Sequence, residues 1–343
     1  MPYTVKSTEK LRKSCAEMET KALLYLMNFR DDSDEIHYFV VDFFNDLTGM
    51  DRTSSKLWDI QSKGASNSSP KAIGKELVTL YKNFLSDLTF SNLILFLGGV
   101  SNTVRTDDSK NIFGIENIKK EALTKVIEGL KEESKNKTYI NSSQITTKSI
   151  DDFLKKVLFV IDDKPACDYV RAIIKDHPHI IPEENVLNAI FNEIRDEQSS
   201  KKNGHAIEGL MISTSDESLN YYRHLTNNEI RLMTLQRIIN RDPVSQGVPL
   251  SFMPILNQCP PEKQKDMIDE CKSSLCRALF NKNAAQSFWS IFEQIYFIIL
   301  KNPSDDIQNL YSKVDKTLIK NCPDFDVLSV KYFISVVKDG IQV

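Results

Sequence analysis

Paired cysteines, bilayer-length apolar runs and a basic excess are all missing from this chain of 343 residues, and each absence closes off a class of protein. The six cysteines (Cys15, Cys167, Cys259, Cys271, Cys276 and Cys322) are scattered with no Cys-x-x-Cys pair, which fits reduced thiols better than a disulfide frame or a zinc site. The two most apolar stretches, residues 94–100 and 288–300, are too short to span a bilayer, and the polar N-terminus reads as no secretory signal. A cytoplasmic protein without membrane association is expected. A net charge of −3 excludes a bulk polycation, so any nucleic-acid surface must be a local cluster of Lys and Arg. No Gly-x-Ser-x-Gly and no Cys/His nucleophile pair is present, and Gly98-Gly99 is not followed by a phosphate-loop Lys-Ser/Thr. No repeat of fixed period argues for a solenoid.

What is present is an ordinary core-forming composition, 41% hydrophobic and 27% charged, in a chain long enough for two domains. Apolar residues Leu11, Cys15, Met18, Ala22, Tyr25 and Leu26 recur at helical spacing over 7–28. Residues 35–44 read as a buried strand ending in the turn signal Asn45-Asp46-Leu47-Thr48-Gly49, and 56–63 as a second strand. Ser69-Pro70 suits a helix N-cap and first turn, and the helix it opens runs to about residue 88. The apolar run 92–99 reads as a central strand, paired in parallel with 56–63 because a crossover helix joins them. From residue 150 onward helix-length segments punctuated by prolines dominate.

The strand Lys56-Leu57-Trp58-Asp59-Ile60-Gln61-Ser62-Lys63-Gly64 is the least ordinary stretch. Alternation sets Asp59, Gln61 and Lys63 on one face and Trp58, Ile60 and Ser62 on the other. Phosphodiester hydrolysis needs a divalent cation held by hard oxygens, an activated water, and a cation near the developing charge. Asp46 supplies a carboxylate ligand, the Gln61 amide and the Ser62 carbonyl further oxygens, and Lys63 the positive charge. Glu19 or Glu17 on the first helix is placed as a further, water-mediated ligand. Asp59 positions Lys63 or binds metal, and Asp42 is a structural partner of the site. Lys56, Lys71 and Lys75 flank the site as candidate DNA-backbone contacts. The plainer alternative is that Gln61 and Lys63 form the solvated face of an edge strand, since edges favour lysine. His177-x-His179 lacks an acidic or Cys partner at ligand spacing and reads as a loop pair, and Lys201-Lys202-Asn203-Gly204-His205 as a solvated basic turn.

Asp46, a loop, and Gln61-x-Lys63 within a helix-strand-strand-helix-strand order resemble the PD-(D/E)xK nuclease superfamily, in the branch where Gln replaces an acidic residue. Asp42-x-x-x-Asp46-Leu47 before the Gln-x-Lys strand, with Ser149-Ile150-Asp151-Asp152-Phe153-Leu154-Lys155-Lys156-Val157-Leu158-Phe159-Val160 after it, is similar to the double-stranded-DNA endonuclease domain of bacterial anti-phage systems. The resemblance covers about the first half of the chain. It implies a restriction-endonuclease-like α/β core over 1–148, a mixed sheet flanked by helices, and a mainly helical regulatory or interaction domain over 149–343. It further implies Mg2+, or Mn2+, as cofactor and double-stranded DNA as substrate, cut with little sequence specificity. Partners in a defence complex, among them an SMC-family ATPase as in Lamassu-type systems, and oligomerisation on activation belong to the same expectation. The superfamily core has two strands between the first helix and the Asp46 position where one is legible here. The alternative from another class is a catalytically inactive nuclease-fold scaffold.

Overall fold

The computed structural model describes residues 3–6, 13–174, 176–202, 206–281 and 285–341. The chain divides into two compact units, Met1–Tyr169 with Phe191–Asn227, and Val170–Ile190 with Asn228–Val343. The expected boundary at 148/149 therefore moves. Val157–Ile161 is an inner strand of the sheet, and 191–227 returns to the first unit to add an edge strand.

The first unit holds strands β1 (Tyr3–Thr4), β2 (Tyr38–Val41), β3 (Leu47–Met50), β4 (Leu57–Lys63), β5 (Phe90–Leu97), β6 (Ile112–Phe113), β7 (Val157–Ile161), β8 (Met211–Ile212) and β9 (His224–Thr226). Its helices include α1 (Lys13–Asn28), α2 (Pro70–Glu76), α3 (Val78–Phe84), α4 (Lys120–Asn136) and α5 (Thr147–Leu154). Residues 7–12, the start of the expected first helix, lie outside the described residues. Seven of these strands form one mixed sheet in the order β6-β7-β5-β4-β3-β2-β9, and β1 pairs antiparallel with β8. β2, β3 and β4 are an antiparallel meander, whereas β4, β5 and β7 are parallel.

The expected two-strand opening is corrected to three. Leu47–Met50 is a strand, although its Asn, Asp and Gly read as a turn. Gly49 accounts for the misreading: a Cβ there would lie 3.1 Å from the side chains of Leu26 and Ile36, so glycine marks close packing within the strand rather than a turn. The order becomes helix, three strands, helices, strand, with Asp46 directly before the second strand.

The crossover helix also differs from a single span to residue 88. Ser69 caps α2 and Pro70 occupies its first turn, but the helix is interrupted at Leu77 and resumes as α3. α2 meets α4 backbone to backbone. A Cβ on Gly74 would stand 2.1 Å from the Val126 carbonyl oxygen, and one on Gly129 2.2 Å from that of Lys71. Leu93, Leu95 and Leu97 of β5 and Val157 and Phe159 of β7 pack against Ile73, Leu77, Leu80 and Phe153. On the opposite face Phe96 meets Tyr25 of α1, with ring centroids 5.7 Å apart. β5 is thus buried on both sides, as a short apolar run with parallel neighbours requires.

The second unit is helical. Its longest elements are Pro261–Phe280, Ala285–Lys301 and Val327–Gly340, and the last of these is enclosed along most of its length. Phe288, Ile291, Phe292, Ile295 and Ile299 of Ala285–Lys301 are buried, so most of that apolar stripe is core, with Tyr296 partly exposed. Among the described residues no helix is long and apolar enough to cross a membrane.

Candidate metal and phosphate site

The geometry of the site follows from β4 outrunning β3. Their antiparallel register pairs Met50 with Leu57 and Leu47 with Ile60, where β3 stops. Continued by one step, this register sets Asp46 opposite Gln61. The hairpin loop before it is closed by Asp42 N–H donating to the Asp46 carbonyl at 3.1 Å, and Arg223 Nη1 donates to the Asp42 carbonyl at 3.1 Å. Asp42 takes φ of 51°, a left-handed conformation that Asp tolerates better than most residues.

Where the ladder ends, the Asp46 carboxylate takes over the strand edge. Its Oδ2 accepts from Gln61 Nε2 at 2.7 Å, Ser62 N–H at 2.8 Å and Ser62 Oγ at 3.1 Å. Among the described residues no donor reaches Oδ1. N–H and C=O of one strand residue point to the same edge. The Ser62 carbonyl therefore faces the Asp46 side, while the Lys63 carbonyl, one residue on, accepts from Gly98 N–H at 2.8 Å on the β5 side.

The polar face of β4 is met by a matching stripe on α2 and α3. Asp59 accepts from Asn83 Nδ2 at 2.7 Å, Gln61 Oε1 accepts from Thr79 Oγ1 at 2.5 Å, and Lys63 Nζ lies 3.3 Å from Glu76. Two-residue steps along the strand are thereby matched to three- or four-residue steps along the helices. The solvated-edge explanation is overturned, since β4 lies between β3 and β5 and Asp59 and Gln61 are buried. Asp59 also accepts from Thr48 Oγ1 at 2.9 Å, and burial pushes its carboxyl up to about 6 despite these hydrogen bonds. It anchors the strand to α3 through Asn83 and to β3 through Thr48.

A cleft of about 310 Å³ opens at this end of β4 and is lined by Asp42, Asp46, Gln61 and Lys63. Lys6, Lys75, Lys82 and Lys137 join Lys63 on its walls, against the carboxylates of Asp42, Asp46, Glu76 and Glu133. Lys82 Nζ sits 4.5 Å from the ring centre of Tyr3 and 5.9 Å from that of Tyr139, and burial pushes its ammonium down to about 8. Sequence reasoning missed Lys6, Lys82, Lys137 and Tyr139, which are distant from the motif in the chain. A signal existed for Glu76, Thr79 and Asn83, polar residues at helical spacing beside the apolar stripe of the same helices.

The two α1 carboxylates are placed differently. Glu17 is more than half exposed and lies 3.9 Å from Lys21, whereas Glu19 is buried and 2.5 Å from Lys202. Burial raises Glu19 to about 7, Lys202 opposes the rise, and the charges of Asp46 and Asp42 add to it. Glu19 is therefore the helix carboxylate that senses the site. Lys202, read as part of a solvated turn, is in fact partly buried and held in this ion pair, while Asn203–His205 lie outside the described residues. Of the flanking lysines only Lys75 reaches the cleft. Lys56 stands at the other end of β4, roughly 20 Å from Lys63 at about 3.3 Å per residue, and pairs with Glu35 at 2.5 Å. Lys71 turns to Glu128 and Glu132 of α4. Elsewhere, in the second unit, Glu293 accepts from the His179 backbone N–H at 3.0 Å and lies 3.4 Å from His177 Nδ1, an acidic partner that the sequence spacing did not reveal.

Among the described residues no three His, Cys, Asp or Glu side chains group to hold a metal ion. The candidate set is of another kind, one carboxylate with an amide and a main-chain oxygen, and these are hard oxygens suited to Mg2+. Gln61 presents its N–H to Asp46, as an amide does beside a bare carboxylate. A half-turn of the amide would bring Oε1 to Asp46 and Nε2 to Thr79, whose hydroxyl accepts as readily as it donates. The residues present therefore fit a cation at Asp46. Compared with protein-family models, curated proteins and solved structures, the chain matches none significantly.

Proposed function

We propose that the chain is a metal-dependent DNA endonuclease that hydrolyses phosphodiester bonds with little sequence specificity. The observation that carries this reading is the Asp46 carboxylate set opposite Gln61 and Ser62 at the end of β4, with Lys63 following in the same cleft. Leu47–Met50 follows Asp46, so Tyr38–Val41 is still the one named strand between α1 and Asp46, and that departure from the PD-(D/E)xK pattern stands. Asp46, Gln61 and the Ser62 carbonyl would hold Mg2+ or Mn2+, and Glu19 would act on it through water. The ion supplies a nucleophile at neutral pH and neutralises phosphate charge. Lys63 exchanges Glu76 for a phosphate oxygen and stabilises the negative charge that develops there. Lys75, Lys82 and Lys137 hold the neighbouring backbone by charge, which carries no base identity. On its resemblance to anti-phage effectors, the chain works within a defence complex, held inactive by partners such as an SMC-family ATPase and released as an oligomer.

Supercoiled plasmid incubated with wild type and Lys63→Ala, in magnesium, manganese or EDTA, tests this. Cutting that needs the metal and disappears in the variant is expected. A folded wild type that cuts under none of these conditions, alone or with the proteins encoded beside it, overturns the reading. One observation favours the inactive scaffold instead: Lys63 is closed on Glu76 and Glu19 on Lys202, so two of the charged groups of the site are already paired. The scaffold predicts that Lys63→Ala keeps full function in cells.

A further inference from the structure

A second cavity, of about 460 Å³, adjoins the cleft at Asp46, and Lys6, Lys82 and Tyr139 line both. These three residues form the partition between them. Beyond it the walls change character. Tyr3, Leu85 and Ile140 supply apolar surface, while Ser86, Asp87 and Gln144 supply donors and acceptors. Lys82 lies against the ring of Tyr3 and Tyr139 is only partly buried, so a cation and an aromatic face are presented together at the partition.

We propose that this second cavity seats an unpaired nucleobase adjacent to the scissile phosphate, so that the preferred substrate is DNA with an unpaired nucleotide beside the cut. The inference rests on the nuclease reading of the first cleft. Lys6 and Lys82 take the intervening phosphate, and Tyr139 offers the base a stacking face. A base within continuous duplex is stacked and paired and has no means of entering a recess behind a partition, whereas an unpaired base enters at little cost. Stacking on an aromatic side chain tolerates any base, in keeping with low sequence specificity.

Binding is measured in EDTA, where no turnover occurs, with three fluorescent oligonucleotides: a continuous duplex, the same duplex with a short unpaired flap, and a single strand. 2-Aminopurine at the first unpaired position reports stacking. The expected result is tighter binding of the two unpaired forms, with 2-aminopurine quenched on binding to wild type. Tyr139→Ala weakens binding of the unpaired forms by about 5- to 150-fold, the range of a lost base–aromatic stack, and weakens binding of the duplex by less. Tyr139→Phe, which keeps the ring, binds as wild type does. Equal binding of all three DNAs, no binding of any, or a preference that survives Tyr139→Ala overturns the inference. Plasmid cutting that remains dependent on metal and Lys63 in those cases leaves the nuclease reading standing. Absence of that cutting in folded wild type defeats the nuclease reading separately.

Discussion

Replacing Asp59 with Asn isolates the cost of the buried carboxylate that ties β4 to α3. Asp59 is fully buried, and burial outweighs its hydrogen bonds, so that its carboxyl titrates near 6 in the folded protein against 3.8 for the ordinary group. Because the folded value is the higher one, the folded state binds the proton more tightly. This contribution to stability is fully present below about pH 4 and is lost as the pH rises through 6. The difference of about two pH units corresponds to about 3 kcal/mol. Asn is neutral and of the same shape. Its oxygen can accept from Asn83, and its N–H can donate to Thr48, so the packing and most hydrogen bonds are kept. Asp59→Asn should therefore be more stable than wild type at pH 7, by up to about 3 kcal/mol, and should have lost that advantage by pH 4. Glu19 is also raised, to about 7, but is common to both proteins and drops out of the difference. The measurement is urea unfolding followed by tryptophan fluorescence in a Trp289→Phe background, since the chain has two tryptophans and Trp58 then reports on the first unit alone. A gain of this size moves the urea midpoint by about 1 M or more. A stability difference that does not change between pH 4 and 7, or one favouring wild type at pH 7, refutes the argument.

Gln61→Glu sets a second carboxylate against Asp46, which now accepts the Gln61 amide at 2.7 Å. In EDTA the variant should be less stable by on the order of 1–3 kcal/mol, with magnesium restoring more stability than it adds to wild type; equal magnesium responses in thermal melts would count against a cation at Asp46. Gly129→Ala forces a Cβ to within 2.2 Å of the Lys71 carbonyl, so α2 must move away from α4. A loss of about 1–3 kcal/mol is expected in urea unfolding, and no loss would mean that the helices separate without cost. Phe333→Ala empties the centre of the ring cluster of Phe288, Phe292 and Phe325 in the second unit. It should cost about 3–5 kcal/mol by Trp289 fluorescence while leaving the Trp58 transition of the first unit in place.

Local signals carried much of the architecture. Helical periodicity marked α1, Ser69-Pro70 marked the start of α2, and the run of 92–99 between polar and glycine-rich flanks marked the central strand. A crossover helix was enough to make β4 and β5 parallel. The failures share one cause, which is that each depended on residues remote in the chain. Gly49 looks like a turn until Leu26 and Ile36 are seen packed over it, and β9 is too short to announce itself without β2 beside it. The unit boundary shifted for the same reason, since pairing of β7 with β5 is invisible in the local pattern.

The candidate site divides along the same line. Alternation along β4 determined from the sequence alone that Asp59, Gln61 and Lys63 share a face, because a strand has no other way to point its side chains. What that face meets was decided by tertiary structure. The β3–β4 register brings Asp46 to Gln61, the crossover helices bring Asn83, Thr79 and Glu76, and the returning segment brings Lys202 to Glu19. The same is true of the charges, since Lys56 and Lys71 are turned to other carboxylates while Lys6, Lys82 and Lys137 reach the cleft. Side-chain periodicity is a property of the local backbone and is legible in sequence, whereas which groups lie within a few ångströms of one another depends on how distant segments close against the sheet.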